Sequence, residues 1–443
     1  MSLPKPRFLR SVFVFSLLTL AILNLTDHSQ AFGKGKSSGL DGRLPLAGVI
    51  ADTKGNLYGT TLLGGDGGGQ GQGTVFELTP NGSGGWTESI LFSFDNTDGF
   101  EPSSRLAMDS DSNGNLLDLY GTTWLGGAPY INGTVFELTP PAKTGGSWTE
   151  STLFNFNGPD GTNPRAVTRD NSGNLYGTTQ SGGANEDGTV FELVQNKKGN
   201  WKESVLLNFA GSSDGQNPRG TLILDGGSIY GTTQTGGTGG AGTVFELTPG
   251  TGESWTESVI HSFTGSDGSN PGSLIMDSTG NLYSMTESGG GTANDGTVFE
   301  LTPPMTIGGT CSNNVGPGCW TETVLHSFSG SDGAAPSAPE AGLIMDTLGN
   351  LYGTTFDGGT SSYGTVFELR PPTSVVTTWT ETVLHSFSGS PADGEYPVGL
   401  IMNGNNLYGT TYEGGAIGGG TVFELSLATG VETVLYSFDG PAL

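Results

Sequence analysis

The chain has 443 residues, with 16 Lys and Arg against 43 Asp and Glu and a net charge of −27. That charge repels phosphate backbones, so nucleic acid is not expected as a partner. The 78 glycines follow no collagen period and cluster between short apolar runs, which fits many strands joined by tight turns.

Residues 1–31 read as a signal peptide. Lys5, Arg7 and Arg10 form a basic start, and Ser11 to Leu25 is an apolar run shorter than the ~20 residues a membrane span needs. Ser29-Gln30-Ala31 then places small residues where a signal peptidase cuts. Cleavage there removes three bases and one acid, leaving a mature chain of net charge −29. We expect a secreted, periplasmic or cell-envelope protein with no transmembrane segment after cleavage. Residues 32–45 read as a linker, and whether they add a closing strand is open at this level.

From Leu46 one unit recurs seven times. Its sixth copy shows the parts in order: Gly342-Leu343-Ile344-Met345-Asp346, a turn, Asn350-Leu351-Tyr352-Gly353-Thr354-Thr355, a Gly-rich loop, Gly364-Thr365-Val366-Phe367-Glu368-Leu369, and Trp379 to Phe387. We name the four predicted strands A to D. Strand B recurs at Tyr58, Tyr120, Tyr176, Tyr230, Tyr283, Tyr352 and Tyr408. Strand C recurs at Phe76, Phe136, Phe191, Phe245, Phe299, Phe367 and Phe423, and strand D ends at Phe94, Phe156, Phe209, Phe263, Phe328, Phe387 and Phe438. Each block is short, β-branched or aromatic, and bounded by turn residues. Four strands per unit match a propeller blade, whose faces both pack on neighbours. The expectation is an all-β protein, a seven-bladed β-propeller of four-stranded antiparallel blades. Residues 46–443 divide into blades of about 46–102, 103–164, 165–218, 219–271, 272–339, 340–397 and 398–443.

Several residues carry candidate chemistry. Asp109, Asp111, Asn113 and Asp118 in the A–B turn of blade 2 follow a D-x-D-x-N-G start like a Ca²⁺ loop, with Tyr120 where the bidentate Glu belongs. Weak Ca²⁺ binding and a merely enlarged turn both stand. Cys311 and Cys319, the only cysteines, bracket an insertion in blade 5 and are expected to form a disulfide in an exported protein. His261, His326 and His385 share one strand-D position with Phe92, Phe154, Leu207 and Tyr436. That substitution pattern reads as packing, and separate blades hold the three too far apart to share one ion. The glutamates repeated in every strand C and D read as architecture, so no catalytic residue is assigned.

The position after Thr-Thr varies around the ring, and B–C and D–A loops lie on one side of a propeller. Phe356, Tyr412, Leu62 and Trp124 fall in contiguous blades as an apolar crescent able to stack on sugar rings. Arg105, Arg165, Arg169 and Arg219 lie on or enter strand A of blades 2 to 4 and form a candidate cationic arc for a carboxylate or sulfate. The competing reading is that these loop residues cap their own hairpins and the arginines pair with nearby acids.

The recurring NLYGTT, GTVFEL and ETVLHSF blocks resemble the GloVer (Gloeobacter/Verrucomicrobium-type) tandem-repeat family of exported bacterial choice-of-anchor proteins, across residues 46–438. The resemblance implies an exported repeat protein, often with a terminal sorting or anchoring segment. This chain departs from that pattern, ending at Gly440-Pro441-Ala442-Leu443, so surface anchoring is not carried over. The leading expectation is an exported, monomeric, non-enzymatic propeller that binds a ligand or partner on its loop face, an acidic polysaccharide or an extracellular protein. The alternatives are a polysaccharide-active hydrolase or lyase using channel carboxylates, and a structural envelope component. No cofactor is expected apart from the Ca²⁺ reading.

Overall fold

A computed structural model describes residues 41–66, 71–82, 84–143, 145–252, 254–304, 319–336 and 342–438. The proposed signal peptide and Cys311 lie outside the described residues. Cys319 is described and buried. Among the described residues no helix is long and apolar enough to cross a membrane.

The chain forms a seven-bladed β-propeller. Each blade is an antiparallel sheet in the order A–B–C–D. Blade 6 illustrates the register: strand A (Ile344–Met345) pairs with strand B (Leu351–Asp357), B with C (Thr365–Arg370), and C with D (Thr380–Ser386). Three contacts recur across the B–C pairing. Paired threonines bridge the strands, as in Thr355–Thr365 at 2.9 Å and Thr61–Thr74 at 2.8 Å. The strand-B tyrosine donates to the strand-C glutamate, as in Tyr58 to Glu77 at 2.8 Å and Tyr283 to Glu300 at 2.8 Å. The glycine of Tyr-Gly-Thr-Thr admits the strand-C phenylalanine, since a Cβ on Gly59 would stand 2.6 Å from Phe76 Cζ. The repeated strand-C glutamates thus accept from the tyrosine of the neighbouring strand in blade after blade.

The core lies between blades as a ring of clusters. At each junction the Phe ending strand D meets the strand-C Phe of the next blade edge to face. Phe94–Phe136 and Phe263–Phe299 are both 5.0 Å apart. The same contact joins Phe438 of the last blade to Phe76 of the first, at 5.1 Å. Such pairs add about 0.5–1.5 kcal/mol to the burial of the rings themselves.

The link from strand D to the next strand A is equally regular. It reads Asp-Gly-x-x-Pro, and the residue before proline takes a positive φ in all seven copies: Leu44, Glu101, Asn163, Asn217, Asn270, Ala335 and Tyr396. Its amide reaches back to the preceding blade, as in Glu101 N to Gln72 O and Asn270 N to Ala241 O, both 2.9 Å. Asp41-Gly42-Arg43-Leu44-Pro45, which reads as linker in the sequence, is the seventh copy. Leu44 N donates to Gly419 O at 2.8 Å, and Tyr436 OH donates to Asp41 Oδ2 at 3.1 Å. The ring thus closes by packing and junction hydrogen bonds, with every described blade built from consecutive strands.

Candidate ligand-binding site in the channel

Strand A is the inner strand of each blade, so its residues face the axis. A cavity of about 320 Å³ opens there, lined by Ile50 and Ala51 of blade 1, Ile344 of blade 6, Ile401 and Met402 of blade 7, and Arg105 of blade 2. Most of its lining side chains are aliphatic, because the position two residues before the A–B turn is Ile in five blades. Arg105 breaks that wall. It stands where the other blades carry Gly48, Ala166, Thr221, Ser273, Gly342 and Gly399, too small to fill the axis. Among the described residues its guanidinium has no hydrogen-bond or ion-pair partner. Burial alone lowers its pKa from the ordinary arginine value. In a chain of net charge −27, an arginine without an acid beside it presents uncompensated donors to whatever enters the channel.

The other three arginines of the expected arc are engaged locally. Arg165 is buried, donates to Gln180 Oε1, and lays its guanidinium carbon 5.4 Å from the Trp124 ring centre. Arg219 lies in the electrostatic field of Glu287, whose pKa burial raises and Arg219 moderates. Arg169 sits at the far end of strand A, against the A–B turn, and pairs with Asp109 at 2.8 Å. It does not belong to the loop face with the others, and the four arginines do not form one arc.

The crescent is likewise divided. B–C loop starts and D–A links do share one face, shown by Trp124 N to Glu101 O and Leu62 N to Leu44 O, both 3.1 Å. Leu62 is buried and offers no surface. Phe356 stacks on Tyr396 at 4.7 Å and lies 6.4 Å from Tyr412, so an aromatic group spans blades 6 and 7. Trp124 is half-buried and occupied by Arg165.

Glu101 and Tyr396 were missed in the sequence. Both replace Asn at the pre-proline position of the junction, a break in the repeat that seven aligned copies of Asp-Gly-x-x-Pro would have revealed. Glu101 is buried, its Oε2 has no hydrogen-bond partner, and burial pushes its pKa up to about 7. Tyr412 is raised to about 12, mainly by burial, then by the fields of Glu413 and Glu101, with Arg43 opposing. Tyr412, Glu101 and Arg43 therefore share one electrostatic neighbourhood, drawn from blade 7 and from the links that enter blades 2 and 1.

The Ca²⁺-loop residues are spent on separate tasks. Asp111 accepts from Asn113 N at 2.8 Å and from Asn115 N and Nδ2 at 2.9 and 3.0 Å, capping the turn as Asp52 does in blade 1. Asp109 pairs with Arg169, and Asp118 accepts from Thr139 Oγ1 at 2.7 Å. Asp109, Asp111 and Asp118 do not form one of the His, Cys, Asp or Glu groups that converge among the described residues.

The chain belongs to the Gloeobacter/Verrucomicrobia repeat family, whose signature matches residues 118–314 and 315–442. None of the curated proteins matches it. Among solved structures it is similar to a puromycin-hydrolyzing peptidase of Mycobacterium tuberculosis, with 10% identity and a TM-score of 0.55 over 89% of this chain and 54% of the peptidase. The chain thus spans about half of that peptidase's length. A second similarity is to the PQQ-bound aldose sugar dehydrogenase of Streptomyces coelicolor, at 15% identity and a TM-score of 0.41, covering 72% of this chain and 92% of the dehydrogenase. At such identity the likeness to the peptidase is one of fold alone.

Proposed function

We propose that this chain is an exported binding propeller that takes an acidic carbohydrate end into its central channel. The observation that carries the reading is Arg105, an unpaired guanidinium among aliphatic side chains in a cavity of about 320 Å³. That volume suits one sugar unit, and a bidentate arginine suits its carboxylate. The aromatic group of Phe356, Tyr396 and Tyr412 would stack on further sugar units of a chain that passes along the channel to the loop face. Export is supported by the apolar N-terminal stretch with its basic start. The test is calorimetric titration with oligogalacturonate and with a neutral oligosaccharide of equal length. The acidic ligand alone should bind, and Arg105→Gln should weaken it at least tenfold, the loss of about 1.4 kcal/mol or more expected for a charged hydrogen bond. Equal affinity for both sugars, or an unaffected variant, would remove the reading.

One observation favours catalysis instead. Glu101 combines burial, an unpartnered oxygen and a pKa of about 7, the properties of a general acid at neutral pH. Release of shortened oligosaccharide by the wild type and not by Glu101→Gln would establish a hydrolase or lyase.

A further inference from the structure

The outer rim holds a second, separate arrangement. At each junction the Asp of Asp-Gly-x-x-Pro lies near the strand-D Glu of the following blade. The pairs Asp41 with Glu88, Asp98 with Glu150 and Asp214 with Glu257 are electrostatically coupled. At three successive junctions the strand-D histidine joins them. His326 Nε2 is 3.1 Å from Asp332 Oδ2, and His385 Nε2 is 3.2 Å from Asp393 Oδ2. Glu381 completes the first set and Glu432 the second, one ligand atom of each residue lying within 4.8 Å of the others. Both glutamates keep an Oε1 shielded from solvent and without a hydrogen-bond partner. A buried acceptor in that condition is unfavourable unless a proton or cation meets it.

We propose that the junctions of blades 5 with 6 and 6 with 7 each bind a first-row divalent cation of the Zn²⁺ class, held by His326, Asp332 and Glu381 and by His385, Asp393 and Glu432. Imidazole nitrogen and carboxylate oxygen are both ligands of such ions, and with three protein ligands the fourth position takes water. Ligands about 2.0–2.2 Å from a tetrahedral ion stand roughly 3.3 Å apart, near the His–Asp separations above. Asp332 is already oriented, since its Oδ1 accepts from Ser329 N at 2.9 Å and Ser329 Oγ at 3.1 Å. The His326 and Asp332 side chains keep 20% and 21% of their surface, which leaves a path for the ion. His261, Asp267 and Glu322 repeat the composition one junction earlier, but their ligand atoms do not converge as closely. Each histidine, at a strand-D position that reads as packing in the sequence, faces its own Asp.

The array contains its own control, because blades 1 and 2 carry Phe92 and Phe154 at this position. The substitutions His326→Phe and His385→Phe are thus compatible with the fold. Untagged protein is equilibrated with ZnCl₂, dialysed against excess Mg²⁺ to clear loosely held ions, and analysed for bound metal. The wild type should retain two ions per chain, matching the two sets, and the double variant none. Zn²⁺ should raise the unfolding temperature of the wild type over the EDTA-treated protein and leave the double variant unchanged. A wild type that retains no Zn²⁺, or a double variant that retains as much as the wild type, would overturn the assignment and leave a carboxyl pair sharing a proton.

Discussion

Individual carboxyls give this protein an unusual relation to pH. Glu88, Glu150, Glu203, Glu257, Glu381 and Glu432 are each pushed up to about 7, first by burial and then by a neighbouring Asp. A carboxyl whose pKa is higher in the folded state binds its proton more tightly there. Its stabilising effect is complete below the unfolded value near 4.5 and is lost as pH rises through about 7. Asp267 works in the opposite sense, held at about 2 by hydrogen bonds from His261 and Thr264 that outweigh its burial, but its window lies below pH 4. The melting temperature in EDTA should therefore fall from pH 5 to pH 8. Glu257→Gln supplies a permanent amide donor toward Asp214, whose Oδ1 and the Glu257 Oε1 both lack hydrogen-bond partners. That variant should melt higher than the wild type at pH 8 and show a shallower slope. A wild-type melting temperature that climbs over this range would refute the account.

Among the elements, the Asp-Gly-x-x-Pro junction does the most local work. Its pre-proline residue is left-handed, a conformation that costs a typical residue about 1–2 kcal/mol and Asn less. Asn163 and Asn217 also use the side-chain amide, donating to Trp124 O and Gln180 O at 3.1 Å. Ala335 holds the same conformation, at φ 47°, without an amide. Ala335→Asn should stabilise the protein by about 1 kcal/mol, visible as a higher melting temperature. The glycine of the same motif has no such freedom. Gly99 has φ 125°, and a Cβ there would meet Thr123 Oγ1 at 2.2 Å, so Gly99→Ala should cost about 2–3 kcal/mol. Equal melting of both variants with the wild type would separate the motif from stability.

For the whole molecule the question is closure. The Phe pairs run unbroken from Phe94–Phe136 to Phe438–Phe76, and Asp41–Pro45 adds the seventh junction. Pro45 is buried and its Cδ lies over Gly420, where a Cβ would come within 2.6 Å. A chain beginning at Asp41 should be more stable than one beginning at Leu46 by about 2–4 kcal/mol, from two or three hydrogen bonds and one buried proline. Identical melting temperatures would mean that blades 7 and 1 close without this segment.

Much of the architecture was legible in the residues because it is periodic. Seven copies of the B, C and D blocks determined the blade count, the strands and the aromatic core, since a ring of equivalent junctions needs equivalent side chains. What breaks the period was harder to read. Asp41-Gly42 stands ahead of the first strand A with no strand D before it in the chain, so its role appears only when blade 7 is brought beside it. The arginines counted as one arc separate once strand A is given a direction, which places Arg165 and Arg169 at opposite ends. Arg105 alone reaches the cavity unpaired, and Glu381 meets His326 only because consecutive blades pack edge to edge. Local patterning decides strands and turns, where the deciding contacts are few residues apart. The identity of a site depends on which side chains from distant repeats share one space, and only the closed ring sets that.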